Sequence, residues 1–535
     1  MTAAPPQGST ALPRLRRFAG AVDRLVDALA EPSAFAAAVA GYYAVAFLIR
    51  SLLLTGSSGD EAQLMLYGQG FAWLYDLGNP PMAGWLAVLA EAVLGPSLAV
   101  ALVIRYGLLA LFLVLMHGAA REAFDDRRTA LAVALSAFGF WFYGWEALRN
   151  YMDSLVLITA LAGTVWAMLR LVRAPGTAAY AWLALAVAAG TLGKFSYPPV
   201  MLCLLAAAGA SPRMREVLWT RRGALAVGAG LALASPPYIW GLMHLDLWLA
   251  VAGDRLLPGA SAAGPIAGSR GRLTLVYDTT LNFVLPLLPL FALVFLPDLS
   301  RPVFGPRRPP ASPPRLRLRR WLGLWLLLLW VFATLVVLAA GMGKLREHYL
   351  FVLMPLPLLL FALLPEEKLH RWRSTAYCGV LGGLAVVALA ALAGQAVVEA
   401  LDCSKCRMIM PWRIYAERLR EAGFERGTIV SYDSPYSDAG ANLRRFLPDT
   451  RVVTDKRPFF VPPPLQRPGA CLVVWNDSRY PQIAEQVRTA AVPQLGGPVP
   501  ADARFGRIEA PLVGSGNPAP ALGYALIEAG AGDCR

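Results

Sequence analysis

The chain has 535 residues and a formal net charge of +14; 57% of its residues are hydrophobic and 16% are charged. Soluble domains carry about 45–50% apolar and about 25% charged residues, so the composition excludes an ordinary soluble protein. The basic residues cluster in short loops between apolar runs, where they encode membrane orientation, and this excludes nucleic acid as the partner. We predict an integral membrane protein in contact with membrane lipids.

Apolar runs of the roughly 20 residues that cross a bilayer recur along the chain. The first lies near 34–54 and is too long for a signal peptide, so we expect it to remain as the first span. The hydropathy pattern predicts about eleven transmembrane helices, near 34–54, 97–118, 129–145, 154–172, 178–193, 198–210, 223–243, 280–297, 321–340, 348–364 and 375–399.

Lysine and arginine are concentrated in the N-terminal segment and in alternate loops, including a Pro- and Arg-rich segment, Arg301–Arg320, that we interpret as a linker. The first loop on the opposite side, Thr55–Pro96, has none. The positive-inside rule therefore predicts a cytoplasmic N-terminus and a tail outside the membrane. We expect a multi-pass protein of the cell inner membrane with a periplasmic C-terminal domain.

The tail after residue 400 has a different pattern from the rest of the chain. Strand-like runs alternate with two helix-like stretches, Trp412–Ala422 and Asp438–Phe446, and this alternation predicts a small α/β domain. The strand-like runs are Thr428–Tyr432, Arg451–Thr454, Cys471–Trp475 and Tyr524–Ile527. The predicted fold class is an α-helical polytopic membrane protein with a C-terminal α/β domain, divided into a cytoplasmic segment 1–33, a transmembrane domain 34–399 and a periplasmic domain 400–535.

The six cysteines divide by location. Cys203 and Cys378 lie in predicted spans, where we interpret them as packing residues. Four others would lie in the oxidising periplasm, where disulfides persist: Cys403, Cys406, Cys471 and Cys534. The CxxC pair is also compatible with zinc, but no histidine or further cysteine is close by in the sequence. We therefore predict at least one disulfide among the four.

Carboxylates follow the outer ends of two spans. Asp60 and Glu61 come after the first span, in a loop without a basic residue and before an aromatic stretch that ends in Asn79-Pro80-Pro81. A carboxylate against an apolar wall has a raised pKa and suits general-base catalysis; solvated loop residues are the alternative. Asp153 begins the fourth span, where a carboxylate is also favoured simply by the helix dipole.

Cations lie on the same face, against the positive-inside bias. Lys194 is in a short turn between spans, and Lys344 and Arg346 lie between the ninth and tenth spans. Arg105 lies within the second span, where an arginine requires a partner, either a carboxylate of the bundle or a lipid phosphate. Cations stabilise a phosphate leaving group and a carboxylate activates a hydroxyl, so this face is suited to group transfer from a lipid phosphate.

The pair Asp60-Glu61, the Asn79-Pro80-Pro81 segment and Arg105 together resemble family 39 glycosyltransferases of the GT-C superfamily. That family includes lipid A aminoarabinose transferases and protein O-mannosyltransferases. Asp153, Gly193–Tyr197 and Lys344–His348 extend the resemblance. The chain is most similar to the bacterial branch of lipid A and core galacturonosyltransferases, which has a DEA-Q/E opening, a PP-containing loop and an AGNLR-like motif, here Ala439–Arg444. It departs from that branch at Asn79–Met82 and Lys344–Glu347, so the sugar does not carry over.

The resemblance implies that residues 34–399 form a GT-C catalytic domain. It would transfer a sugar, with inversion, from a polyprenyl (undecaprenyl) phosphate carrier to an envelope acceptor: lipid A, core or another glycan, or a protein. Asp60 would be the general base, with Glu61 shaping the site and Asp153 positioning the sugar or a cation. The implied phosphate-binding residues are Arg105, Lys194, Lys344, Arg346 and His348, and the implied substrate loop contains Tyr67, Asn79, Pro80 and Pro81.

We expect neither a metal nor another cofactor, and a monomer. Two alternatives from other classes remain at this point: a transporter or flippase of a lipid-linked substrate, and a non-enzymatic relative with the same fold. The chain shows no internal repeat, which counts against transporters built from duplicated halves. Retention of both Asp60 and Glu61 counts against the non-enzymatic relative.

Overall fold

The computed structural model describes residues 11–528 apart from 58, 77, 247–267, 305–312, 340–344, 365–370, 404–405, 433–437, 455–459, 468, 480, 490–491, 493–494 and 496–497. The N-terminal part is helical: α1 (Ala11–Leu29), α2 (Pro32–Leu53), α3 (Gly59–Tyr67), α4 (Met82–Leu94), α5 (Leu98–Ala123), α6 (Arg127–Leu135), α7 (Trp141–Gly144), α8 (Met152–Arg173), α9 (Thr177–Gly193), α10 (Tyr197–Ala208), α11 (Pro212–Leu218) and α12 (Arg221–Met243).

After the gap that follows α12, the helices resume with α13 (Gly268–Val284), α14 (Leu287–Phe304), α15 (Pro313–Ala339), α16 (Leu356–Leu363) and α17 (Arg371–Leu401). Short 3₁₀ turns cover Ser136–Gly139, Glu146–Leu148 and Glu347–Leu353. The ends of the predicted linker Arg301–Arg320 are helical, in α14 and α15, and its middle, 305–312, lies outside the described residues.

Six of the described helices are long and apolar enough to cross a bilayer: α2, α5, α8, α12, α17 and, from Arg317, α15. Four further apolar helices are shorter, namely α4, α9, α10 and the first part of α14. The prediction of a multi-pass membrane protein is confirmed, and the total of about eleven spans stays a prediction. Helix α8 lies at the centre of the bundle, with buried residues around its whole circumference.

The expected third span, near 129–145, is not one continuous helix. Helix α6 ends at Leu135, a 3₁₀ turn follows, and α7 has four residues. Irregular backbone at membrane depth requires partners inside the protein. The carbonyl oxygen of Leu148, just beyond this segment, accepts hydrogen bonds from Arg105 Nη1 at 3.0 Å and from the Tyr106 hydroxyl at 3.4 Å.

The loop Thr55–Pro96, which is predicted to lie outside, is also more structured than expected. Residues 55–96 contain α3 and α4, because the apolar run that starts at Met82 is helical but too short for a span. The predicted spans near 280–297 and 348–364 are likewise interrupted. One breaks between Val284 and Leu287, and the other begins as a 3₁₀ turn.

One end of the bundle is held by ion pairs between α1, α6 and α17. Asp23 lies 2.8 Å from Arg128 and 2.8 Å from Arg371. The hydrogen bond from Arg128 holds the pKa of Asp23 below its usual range, with the Thr375 hydroxyl acting in the same direction. The sequence predicted that the arginine-rich helix ends share one side of the membrane, and these ends are in contact here. We call this the arginine-rich end of the bundle. The end of α2 and the start of α8 lie at the opposite end.

We expect cysteine labelling to place these two ends on opposite sides of the membrane. Asp125→Cys replaces a side chain that is 96% exposed at the arginine-rich end, and Glu485→Cys replaces one that is 70% exposed in the tail. A membrane-impermeant maleimide added to intact spheroplasts should label position 485 at once and position 125 after lysis, as the positive-inside rule predicts. Labelling of position 125 before lysis would reverse the orientation.

The tail folds as an α/β domain around a five-stranded sheet in the order β2-β1-β3-β5-β4. Its strands are β1 (Gly427–Ser431), β2 (Thr450–Val453), β3 (Ala470–Asn476), β4 (Arg504–Ile508) and β5 (Leu522–Ile527). Strand β1 pairs in parallel with β2 and β3, whereas β5 pairs antiparallel with β3 and β4. The helices are α18 (Trp412–Glu421), α19 (Asp438–Arg444) and α20 (Ile483–Thr489). Strand β4 and α20 were not predicted.

The tail domain lies against the loop Thr55–Pro96. The side-chain amide of Gln69 donates a hydrogen bond to the carbonyl of Val452 at 3.1 Å and accepts one from the backbone N–H of Val452 at 2.7 Å. Gln69 therefore occupies the edge of β2 that does not pair with β1. The rings of Tyr67 and Tyr75 pack against Phe460, with centroids 5.9 and 5.0 Å away. The membrane domain and the tail thus share a continuous packed interface.

The disulfide prediction is confirmed. Cys403 is bonded to Cys406 where the chain leaves α17, and Cys471 on β3 is also disulfide-bonded. Cys203 and Cys378 are free, as expected for packing residues. Cys534 lies outside the described residues.

Candidate active site

Helix α3 presents one side chain away from the protein interior. Eight of its nine residues are buried, and the exception is Asp60, which is half-buried. Carboxylates in the first turn are favoured by the helix dipole, and Asp60 and Glu61 occupy that turn. The two neighbouring carboxylates therefore face different environments, which their adjacency in the sequence did not indicate.

Asp60 contacts the start of α8. Its Oδ2 accepts a hydrogen bond from the backbone N–H of Met152 at 3.0 Å. Tyr151, immediately before, has φ 68°, a left-handed conformation that is uncommon for a residue other than glycine and that often marks a functional segment. The N-terminus of α8, with Asp153 in its first turn, is thus fixed beside Asp60.

Lys194 reaches the same place from the end of α9. Its side chain is buried, at 7% exposure, and its ammonium donates to the Ser154 hydroxyl at 2.6 Å. Asp153 and Asp60 both lie within electrostatic range of this ammonium. A lysine has three donors, so Lys194 can hold Ser154 and still bind an anion.

The segment before α16 completes the cluster. The His348 ring stacks on Tyr151 with centroids 5.2 Å apart, and Lys194 lies over the Tyr349 ring, 5.5 Å from its centroid. Arg346 is exposed, and both Arg346 and Lys194 are within electrostatic range of His348. Lys344 lies outside the described residues. The structure thus brings together Asp60, Asp153, Lys194, Arg346 and His348.

Glu61 belongs to a separate, buried ion cluster. Its Oε2 lies 2.5 Å from Arg50 and its Oε1 lies 3.0 Å from Arg105, and all three side chains are 0% exposed. Of the two partners expected for Arg105, the structure shows the carboxylate. The predicted roles of Glu61 in shaping the site and of Arg105 in phosphate binding stay predictions; the structure shows both side chains in this buried cluster. Together the three residues join the first two long spans to α3.

Comparisons with known proteins agree with this architecture. Residues 78–240 match the family model described as dolichyl-phosphate-mannose-protein mannosyltransferase. The lipopolysaccharide core galacturonosyltransferase RgtB of Rhizobium johnstonii is 21% identical over 449 residues, covering 82% of this chain and 86% of the relative.

Two crystal structures of ArnT from Cupriavidus metallidurans share the fold. The undecaprenyl-phosphate-bound structure has a TM-score of 0.56 at 13% identity and covers 94% of this chain and 100% of its own. The apo structure has a TM-score of 0.52 at 13% identity, covering 92% and 98%. These likenesses support a glycosyltransferase with the GT-C fold that is similar to family 39. A transporter and a non-enzymatic relative are therefore set aside.

The tail domain of this GT-C glycosyltransferase adds a fourth charge to the buried ion cluster. The guanidinium of Arg445, just after α19, donates to the carbonyl of Thr55 at 2.6 Å. The pKa of Arg445 is lowered to about 10, chiefly by burial and also by nearby Arg50, while Glu61 acts in the opposite direction. Arg445 therefore adds positive charge beside the cluster in which Arg50 and Arg105 share the carboxylate of Glu61.

The predicted substrate loop has a structural role in this glycosyltransferase. Tyr67 is buried at the end of α3 opposite Asp60 and accepts a hydrogen bond from Gln63 at 2.8 Å. Asn79 closes a turn with Asp76 through a 3.3 Å backbone bond. Pro80 and Pro81 are buried and lead directly into α4. These contacts shape the loop, and a substrate contact for it stays a prediction.

Sequence reasoning missed Arg50, Tyr151 and Arg445. The signal for Arg50 was present, because an arginine within an apolar span is a functional hypothesis and the same rule identified Arg105. Nothing in the sequence marks the left-handed conformation of Tyr151. Within the described part of the chain, no group of three or more His, Cys, Asp or Glu side chains is placed to hold a metal ion.

Proposed function

We propose that this glycosyltransferase transfers a sugar from a polyprenyl-phosphate carrier to a hydroxyl of an envelope acceptor on the periplasmic face of the inner membrane. The observation that supports it is the convergence of Asp60 and Asp153 with Lys194, Arg346 and His348 at the end of the bundle opposite the arginine-rich end. The structurally similar ArnT was crystallised with undecaprenyl phosphate bound, which supports the same donor class here.

In this mechanism Asp60 takes the proton of the acceptor hydroxyl. Its Oδ2 accepts a hydrogen bond from the Met152 N–H, and in this mechanism Oδ1 takes the proton. The acceptor oxygen attacks the anomeric carbon of the sugar as the bond from that carbon to the phosphate oxygen breaks. The electron pair of that bond leaves with the polyprenyl phosphate, and direct displacement inverts the anomeric configuration.

Negative charge builds on the phosphate as the bond breaks, and cations placed in advance stabilise it. Lys194 is held by Ser154 and does not need to move, while Arg346, close to His348, is exposed and can approach the phosphate. Asp153 lies near Lys194 and would orient this ammonium or the sugar. Lys344 would be a further phosphate ligand.

Lys194→Ala and Arg346→Ala should each lower kcat/KM for the donor by about 10- to 150-fold, because a charge-assisted contact contributes about 1.5–3 kcal/mol. The measurement is transfer from a synthetic polyprenyl-phosphate sugar in nanodiscs, with protein folding checked alongside. Arg418→Ala is the control, since Arg418 is an exposed arginine of the tail paired with Glu421. Normal donor kinetics in both variants would contradict the phosphate role.

Mass spectrometry of envelope lipids and glycans, with and without the gene, tests the function as a whole. We expect one sugar substituent to disappear without the gene and to return with the wild-type chain. The purified protein should use polyprenyl-phosphate sugars and reject nucleotide sugars. Transfer from a nucleotide sugar alone would contradict the proposed donor class.

A further inference from the structure

The AGNLR-like segment of the tail lies on the N-terminal end of α3. Asn442 on α19 and Ser57 just before α3 form a reciprocal pair: Ser57 N–H donates to Asn442 Oδ1 at 3.2 Å, and Asn442 Nδ2 donates to Ser57 Oγ at 2.7 Å. Asn442 is 0% exposed and Ser57 is 1% exposed. Breaking this pair would leave buried donors and acceptors without hydrogen bonds, which costs free energy. The pair therefore holds Ser57 firmly in place.

The contacts around this pair hold the same stretch of chain. Ala441 packs on Ala62 and Met65 of α3. At Gly56 the backbone N–H donates to the Met408 carbonyl at 2.6 Å, and an added Cβ would lie 2.0 Å from the Arg407 carbonyl oxygen. The tail backbone therefore approaches the segment before α3 so closely that Gly56 leaves no room for a side chain.

A second contact holds the far side of α3. Arg444 forms hydrogen bonds to both carboxylate oxygens of Glu91 on α4, at 3.0 and 2.5 Å, and its guanidinium also donates to the Met65 carbonyl at 3.4 Å. Gly440 is packed so closely that a Cβ would lie 2.5 Å from a methyl of Val452. Gly440 thus packs α19 against the tail's own sheet, whereas Ala441 and Arg444 contact α3 and α4.

We infer that Asn442 is a positioning residue for the transfer reaction, and that the tail domain holds the start of α3 so that Asp60 stays aligned with the N-terminus of α8. The inference rests on the proposed function for what Asp60 does. Asp60 lies three residues after Ser57, and its hydrogen bond to Met152 requires α3 to begin at a fixed place. A displacement of about 1 Å at a reacting group can cost about 100-fold in rate.

The test combines hydrogen–deuterium exchange with kinetics. Asn442→Ala should increase deuterium uptake in peptides covering 55–66 and lower kcat by about 10- to 100-fold, with KM for the donor unchanged, since the phosphate ligands are elsewhere. Asn442→Asp should restore both readouts, because a carboxylate accepts from the Ser57 N–H and hydroxyl. If Asn442→Ala accumulates poorly, Ser57→Ala removes one contact of the same pair.

Asn517→Ala is the matched control, because Asn517 also joins the tail to a span, donating to the Ala400 carbonyl at 2.8 Å, but at the end of α17. It should leave exchange at 55–66 unchanged. Wild-type exchange in Asn442→Ala, or equal effects of both variants, would overturn the inference. If the wild-type chain transfers no sugar, the proposed function fails, and the exchange data still decide whether Asn442 holds α3.

Discussion

Asp60→Asn should lower the rate of sugar transfer by about 10²–10⁴-fold, the usual contribution of proton transfer by a positioned base. The protein should fold normally, because asparagine keeps an oxygen that can accept the Met152 N–H, and losing a favourable charge in the first turn of a helix costs only about 0.3–1 kcal/mol. KM for the donor should change little. The measurement is single-turnover transfer from a synthetic polyprenyl-phosphate sugar, with donor binding determined separately.

Asp126→Asn is the matched control for this substitution. Asp126 also accepts a hydrogen bond from a helix N-terminus, that of α6 at Thr129, at 2.9 Å, but at the arginine-rich end of the bundle. Its replacement should leave transfer unchanged. If Asp60→Asn were active and Asp153→Asn inactive, Asp153 would be the base. If both were active, the carboxylates would serve the fold alone.

Glu61→Gln should lower the free energy of unfolding by about 3–5 kcal/mol, since breaking a buried ion pair leaves charge in the interior without compensation. Here two fully buried arginines, Arg50 and Arg105, share the one carboxylate, and Arg445 adds a third positive charge close by. Unfolding by sodium dodecyl sulfate in mixed micelles would measure the change. Activity per folded molecule should fall less than in Asp60→Asn.

Glu421→Gln provides the comparison, because Glu421 pairs with Arg418 on the surface and both side chains are more than half exposed. Exposed pairs contribute about 0–1 kcal/mol, so its loss should be close to neutral. If Glu61→Gln kept wild-type stability but lost all transfer activity, Glu61 would have a role in the chemistry. That outcome would contradict its structural role.

Long, strongly apolar helices were predictable from sequence, because crossing a bilayer demands a length and a composition that few other structures need. Helix α4 was missed because its apolar run has 13 residues. The break between α6 and α7 was missed because hydropathy counts side chains and not backbone geometry. In the tail, strands buried on both faces were visible as apolar runs, whereas β4, partly exposed and carrying Arg504 and Arg507, was not.

The candidate site was predictable in its residue types and less so in its pairings. Charged residues at the sparsely basic face are unexpected for a membrane protein, and this identified four site residues: Asp60, Asp153, Lys194 and Arg346. Asp60 and Glu61 face different environments because of the rotation of α3 about its axis relative to the neighbouring helices. The sequence does not show this rotation. The contact of Asn442 with Ser57 joins residues 385 positions apart in the chain, and no local pattern marks it.

The hydrogen bonds between Gln69 and Val452 bear on how the chain is assembled. An uncovered edge strand can recruit strands from other chains, and β2 is the outermost strand of the sheet next to β1. The loop Thr55–Pro96 covers this edge through one side chain, Gln69, and it is synthesised well before the tail. We therefore expect the tail to fold against a loop that has already been synthesised. A tail domain produced alone should self-associate through the uncovered edge of β2.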